Sequence, residues 1–180
     1  MKLDKLEEVV EIPEGCTLTL ENGVFNVKGE KGEVSKKMFS PRIIITQENN
    51  LVKFFSKKAS QNEKKLINTF KAHLNNLFRG VQEGFLYKLK ICSGHFPMTV
   101  AINGEVFEIK NFIGEKVPRR VKIMPNTTVK IDGTEVVVEA LNREDAGQMA
   151  AKIEQLTKRP GFDKRIFQDG IYITEKPSNK

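Results

Sequence analysis

Three pairs, Asn22-Gly23, Asn103-Gly104 and Asp132-Gly133, each stand between two short runs of alternating or β-branched apolar residues. A tight hairpin needs positive φ at its turn, which Asn, Asp and Gly tolerate, so these pairs constrain the chain more than any other feature. They predict hairpins of residues 17–20 with 24–27, 98–102 with 106–109, and 129–131 with 136–138. A fourth pair, 43–45 with 52–55, is expected across a polar turn at 47–50.

Two segments change to a helical period. After Ser60, the side chains of Leu66, Ile67, Phe70, Leu74, Leu77, Phe78 and Val81 recur on one face. Ser60 and Glu63 have the spacing of a capping box, and Gly80 and Gly84 are expected to stop the helix. The second helix is predicted from a cap at Asn142 through Ala146, Met149, Ala150, Ile153 and Leu156, ending before Pro160-Gly161.

Strands followed by a helix thus occur twice. The repeat extends to detail: Pro13 precedes the Asn22-Gly23 hairpin as Pro125 precedes the Asp132-Gly133 hairpin. The order implies an α+β protein of two tandem small domains, an internal duplication in which each antiparallel sheet packs against one helix. The expected domains are residues 1–82 and 83–180, the second with a basic C-terminal tail. A single continuous sheet carrying two helices is the alternative topology.

Charge narrows the partner. The chain carries a formal net charge of +7, and its cations are spread along its length, which favours a polyanion: nucleic acid or an anionic membrane surface. No stretch approaches the roughly 18 apolar residues of a spanning helix, and the start, MKLDKLEEVVEIPEG, is charged and unlike a signal peptide. Cys16 and Cys92 are far apart with no C-x-x-C spacing, so the chain reads as intracellular and reduced, with neither a disulfide framework nor a zinc site.

Catalytic chemistry finds little support. His73 falls among the helix residues, and Cys92 with His95 has a spacing that assures no contact in a strand or loop. Carboxylates alternate with Lys and Arg as on a solvated surface. The glycine-rich residues 27–32 lack the spacing of a phosphate-cradling loop and read as a basic β-turn. No enzyme activity, cofactor or metal is expected.

Two basic clusters remain. Residues 110–122, KNFIGEKVPRRVK, set Lys110, Lys116, Arg119, Arg120 and Lys122 against the single acid Glu115, and Gly114 and Pro118 argue for an ordered loop. The tail places Lys158, Arg159, Lys164 and Arg165 close to Phe162, Phe167 and Tyr172. Cations pair with phosphates, and an aromatic ring or guanidinium plane stacks on an unpaired base. The tail's apolar residues are expected to anchor it while its cations face outward.

These segments carry a family resemblance. The strings EIPEG at Glu11, VKGEKGE at Val27, GFLYKLKICSGHFPM at Gly84, NFIGEKVPRRV at Asn111, AGQMAAKIEQ at Ala146 and FDKRIFQDGIYI at Phe162 span nearly the whole chain, and the last four are specific in combination. They resemble the ribosomal protein L-six family, the sixth protein of the large subunit, in its archaeal and eukaryotic form. The resemblance implies a cytoplasmic, ribosome-bound structural constituent of the large subunit. It implies binding to large-subunit ribosomal RNA near the sarcin–ricin loop, mostly through the second domain, with neighbouring ribosomal proteins and with translation factors docking nearby. Carried over by motif are His95, Lys116, Arg119, Arg120, Asp163, Arg165, Asp169 and Gly170. Asp163 and Asp169 are expected to be caps or salt-bridge partners of neighbouring cations rather than RNA ligands. The expected RNA-binding set is therefore His95, Lys116, Arg119, Arg120, Lys158, Arg159, Lys164 and Arg165. Reversing Arg119 and Arg165 together is expected to weaken subunit incorporation and leave folding intact. Residues 60–64 and 159–162 depart from the family pattern. A free-standing RNA-binding or RNA-chaperone protein is the alternative.

Overall fold

In the computed structural model, which describes residues 3–163 and 165–177, every strand pairing is antiparallel. The chain divides into two compact units, 1–84 and 85–180. The expected hairpins form, with turn chemistry that differs among them. Asn22 and Gly23 both take positive φ, 50° and 76°, and form the turn itself between Glu21 and Val24. In the other two, Asn103 and Asp132 end their strands, and the turns are Gly104-Glu105 and Gly133-Thr134. Only the glycine has positive φ there, the arrangement of a turn with Gly at its first central position. The fourth turn is also shorter than expected: Gln47 and Glu48 stay paired, leaving Asn49 and Asn50 to turn.

In the first unit, β1 (Leu3–Glu11), β2 (Thr17–Glu21), β3 (Val24–Gly29), β4 (Gly32–Lys37), β5 (Ile44–Glu48) and β6 (Leu51–Ala59) precede α1 (Gln61–Gln82). They form two three-stranded sheets, ordered β1-β6-β5 and β2-β3-β4, where one sheet per domain was expected. Both sheets and the helix share one core. Phe25 of β3 stacks on Phe54 of β6 at 6.4 Å, and Phe54 meets Phe70 of α1 at 6.3 Å. Burying each such ring contributes about 1.5–3 kcal/mol. Leu66 lies at the edge of the apolar stripe and is 40% exposed, a departure from the expected face. Gly80 does not stop α1; it is a buried helical residue, and the stop is Gly84 at φ 76°.

The start of α1 is a full capping box. The Ser60 hydroxyl accepts from Asn62 N–H at 3.2 Å, and the Glu63 carboxylate accepts from Ser60 N–H at 2.9 Å. Arg42 Nη1 donates to the same carboxylate at 3.0 Å. Hydrogen bonds from the Ser60 hydroxyl, Arg42 and backbone N–H groups bring the Glu63 carboxyl down to about 2.

The second unit contains β7 (Phe85–Cys92), β8 (Thr99–Asn103), β9 (Val106–Lys110), β10 (Arg119–Lys122), β11 (Thr127–Asp132), β12 (Glu135–Ala140), α2 (Arg143–Leu156) and β13 (Gly170–Glu175). Its sheets are β11-β12-β7-β13 and β10-β9-β8. Asn142 caps α2 by accepting from Glu144 N–H at 3.1 Å. Residues 119–122, expected in a loop, form a strand with Arg119 opposite Ile109 and Arg120 opposite Glu108. Among the described residues, no helix is long and apolar enough to cross a membrane.

Candidate nucleic-acid interface

Three segments far apart in sequence converge in the second unit, and one arginine joins two of them. Arg119 opens β10. Its Nε and Nη2 each donate to a Glu115 oxygen at 2.7 Å, while Nη1 donates to the Leu156 carbonyl at 2.6 Å and the Lys158 carbonyl at 3.3 Å. The same guanidinium lies 4.5 Å over the Phe112 ring. Those contacts fasten the 112–119 loop to the C-terminal end of α2, where the Leu156 carbonyl has no helical N–H to accept. Arg119 is only 22% exposed and its hydrogen-bonding edges are occupied within the protein. It therefore positions the two basic segments, which an outward-facing cation would not do. The Arg119 guanidinium also holds the Glu115 carboxyl below its usual range, against the effect of its partial burial.

His95 ties the third segment to the tail. Its Nδ1 lies 2.7 Å from Asp169 Oδ2, while Asp169 Oδ1 accepts from Gly94 N–H at 2.7 Å and His95 N–H at 3.0 Å. Burial raises the Asp169 carboxyl, but the hydrogen bonds from His95 and Gly94 together outweigh it and leave the group below its ordinary value. Asp169 is thus an internal partner, as expected. Next to it, Gly170 leaves room for the Tyr172 ring, which a Cβ would approach to 3.0 Å. The imidazole packs on Phe167 at 5.1 Å, Phe167 meets Phe162 edge-on at 5.0 Å, and the Arg159 guanidinium lies 4.1 Å over Phe162. A continuous row of rings and cation results: His95, Phe167, Phe162, Arg159.

The remaining cations fall into two groups. Arg120 is exposed yet held at 2.7 Å by the buried Glu108 carboxylate, whose titration its guanidinium lowers with help from Lys110. Arg165 is 90% exposed and pairs with Asp163 at 2.8 Å. Asp163 also accepts from Arg165 N–H at 2.9 Å, so it serves its neighbouring cation. Lys116, Lys158 and Arg159 have no ion pair among the described residues. Lys164 lies outside the described residues.

The loop that carries Lys116 is strained. Asn111, Ile113 and Gly114 have φ of 57°, 47° and 76°. A β-branched residue in the left-handed region costs about 1–3 kcal/mol and persists only where its surroundings enforce it. The Arg119 contacts supply that enforcement. Sequence reasoning missed Glu115, Glu108 and Phe112 as the partners that set these cations. The spacing of Glu115 and Arg119 by four was a usable signal, whereas the 74-residue separation of His95 and Asp169 left none. Among the described residues, no group of three or more His, Cys, Asp or Glu could hold a metal ion.

A duplicated α+β protein, with rings and cations gathered on its second copy, is the class these features define. The family model described as Ribosomal protein L6 matches residues 12–84 and 96–170, one match within each unit. The large ribosomal subunit protein uL6 of Methanosarcina mazei is 45% identical over 172 residues, covering 96% of this chain and 98% of that protein. The proteins of the same description from Methanobrevibacter smithii and Methanococcus vannielii are 42% and 43% identical over 171 residues, each covering 95% of this chain. The chain belongs to the ribosomal protein L6 family. Membership makes it a ribosomal protein of the large subunit, a component of a ribonucleoprotein, and not an enzyme.

Proposed function

We propose that the second unit clamps large-subunit ribosomal RNA near the sarcin–ricin loop, beside the place where translation factors dock, and that the protein is a structural constituent there. The observation that carries this reading is the convergence of residues 93–96, 110–120 and 157–169 through Arg119 and Asp169. Lys116, Arg120, Lys158, Arg159 and Arg165 are the phosphate contacts. Arg119 acts through the loop it fastens, and His95 through the ring row it starts. Recognition rests on shape and phosphate, with few contacts to base edges.

Five neutralised phosphates give a log–log salt slope of about −3.5 to −4.5 in filter binding to large-subunit RNA. A slope near zero contradicts the clamp. Sedimentation of a lysate at low and high salt tests the structural role: the protein migrates stoichiometrically with large subunits in both. Loss to the top of the gradient at moderate salt would instead make it a free-standing RNA-binding protein.

A further inference from the structure

Beside the ring row lies a cavity of about 360 Å³, lined by residues that include Phe112, Ile113, Arg159, Phe162, Phe167 and Tyr172. We propose that it receives one unstacked nucleobase extruded from the bound RNA. This rests on the reading of the second unit as an RNA clamp and adds a defined contact to it.

The chemistry of the wall selects the ligand. Phe112 is fully buried, whereas Phe162 is 37% exposed, so its ring is reachable from solvent. Arg159 over Phe162 adds a second flat, cationic surface. Lys158 also lines the cavity, and its ammonium has no hydrogen bond among the described residues. Aromatic faces suit a base, and the two cations suit the phosphate attached to it. An apolar ligand would leave those cations unused, and an acidic peptide would leave the rings unused. The Gln155 amide, also at the cavity and unengaged among the described residues, offers both a donor and an acceptor to a base edge. Independently of the rings, the cavity wall includes Ile113 at φ 47°. Strained backbone of this kind concentrates at ligand clamps.

Two RNA hairpins with the same stem test the proposal, one fully paired and one with a single bulged 2-aminopurine. At about 50 mM salt, the full-length protein binds the bulged hairpin about 5- to 150-fold more tightly, the range that stacking on one side chain provides, and quenches the 2-aminopurine. Phe162→Leu removes the preference and the quenching, and Phe162→Tyr retains both. Equal affinity of the wild type for the two hairpins, or a preference that survives Phe162→Leu in a folded protein, overturns the pocket and leaves the phosphate clamp standing. Binding to neither hairpin removes the clamp as well.

Discussion

Arg119→Ala tests whether this cation builds the candidate interface rather than facing solvent as Arg165 does. The substitution removes two charge-assisted bonds to a partly buried carboxylate, donors to two carbonyls at the end of α2, and a cation resting on a buried ring. Hydrogen bonds to charged groups are worth about 1.5–3 kcal/mol each, and a partly exposed cation–π contact about 1 kcal/mol. These are not additive, and Glu115 keeps 29% of its surface in water, which partly replaces the lost donor. The expected loss is about 3 kcal/mol. Both tyrosines, Tyr87 and Tyr172, lie in the second unit and the chain has no Trp, so tyrosine fluorescence in urea reports on that unit alone. With a slope of about 1.5 kcal/mol per M, its midpoint falls by about 2 M. Arg165→Ala, at an exposed position, shifts it by less than about 0.3 M, as expected for a surface substitution. The double change to Glu at 119 and 165 is expected to lower the midpoint at least as far, which tests the sequence-based expectation that folding is left intact. A midpoint for Arg119→Ala within about 0.3 M of wild type would refute the positioning role and return Arg119 to the surface cations.

The first unit supports two further tests. Gly29→Ala puts a Cβ at 2.6 Å from Val81 Cγ2 and 3.0 Å from the Val81 carbonyl, against the end of α1, so it destabilises this unit by about 1–3 kcal/mol in calorimetry; an unchanged first transition rules out that close approach. Glu63 titrates at about 2 when folded against an ordinary 4.5, so its contribution is complete above pH 4.5 and disappears as pH falls toward 2. Thermal melts of Glu63→Gln show a protein less stable than wild type at pH 7 and a smaller stability loss between pH 5 and 2.5. Parallel acid limbs for the two proteins would show that the capping carboxylate is not the acid-sensitive group.

Hairpins and helices were legible because each has a local signal: positive-φ turn residues for the first, apolar period and caps for the second. β1, β4 and β10 lacked one. Leu3–Glu11 is dense in charge, Gly32–Lys37 has Val34 as its only large apolar residue, and Arg119–Lys122 is three cations around one Val. Their strand character comes from partners: β1 on β6, β4 on β3, β10 on β9. The split into two sheets per unit was hidden for the same reason, since pairing between distant strands is fixed by tertiary packing rather than by neighbours in sequence. In the candidate interface, the clustering of the cations was readable and which of them are held by internal partners was not. Arg119 and Arg120 are adjacent and alike in sequence; only the alternation along β10 sends one inward to Glu115 and leaves the other exposed over Glu108.

The place of β13 also sets a clock. Unit 1 has all its strands and α1 once residue 84 is made, but β7 of the second unit is flanked by β12 and β13, so its sheet stays open on one side until residue 175 exists. At about 5–20 residues per second, that interval lasts on the order of 5–20 s. Late in it, residues 157–169 are made while still attached to α2 at one end only, and Asp169 meets His95 only as these last residues are added. A growing chain thus displays its cations before it can hold them in a fixed arrangement. A fixed arrangement of these side chains is therefore available only when synthesis of this region is finished.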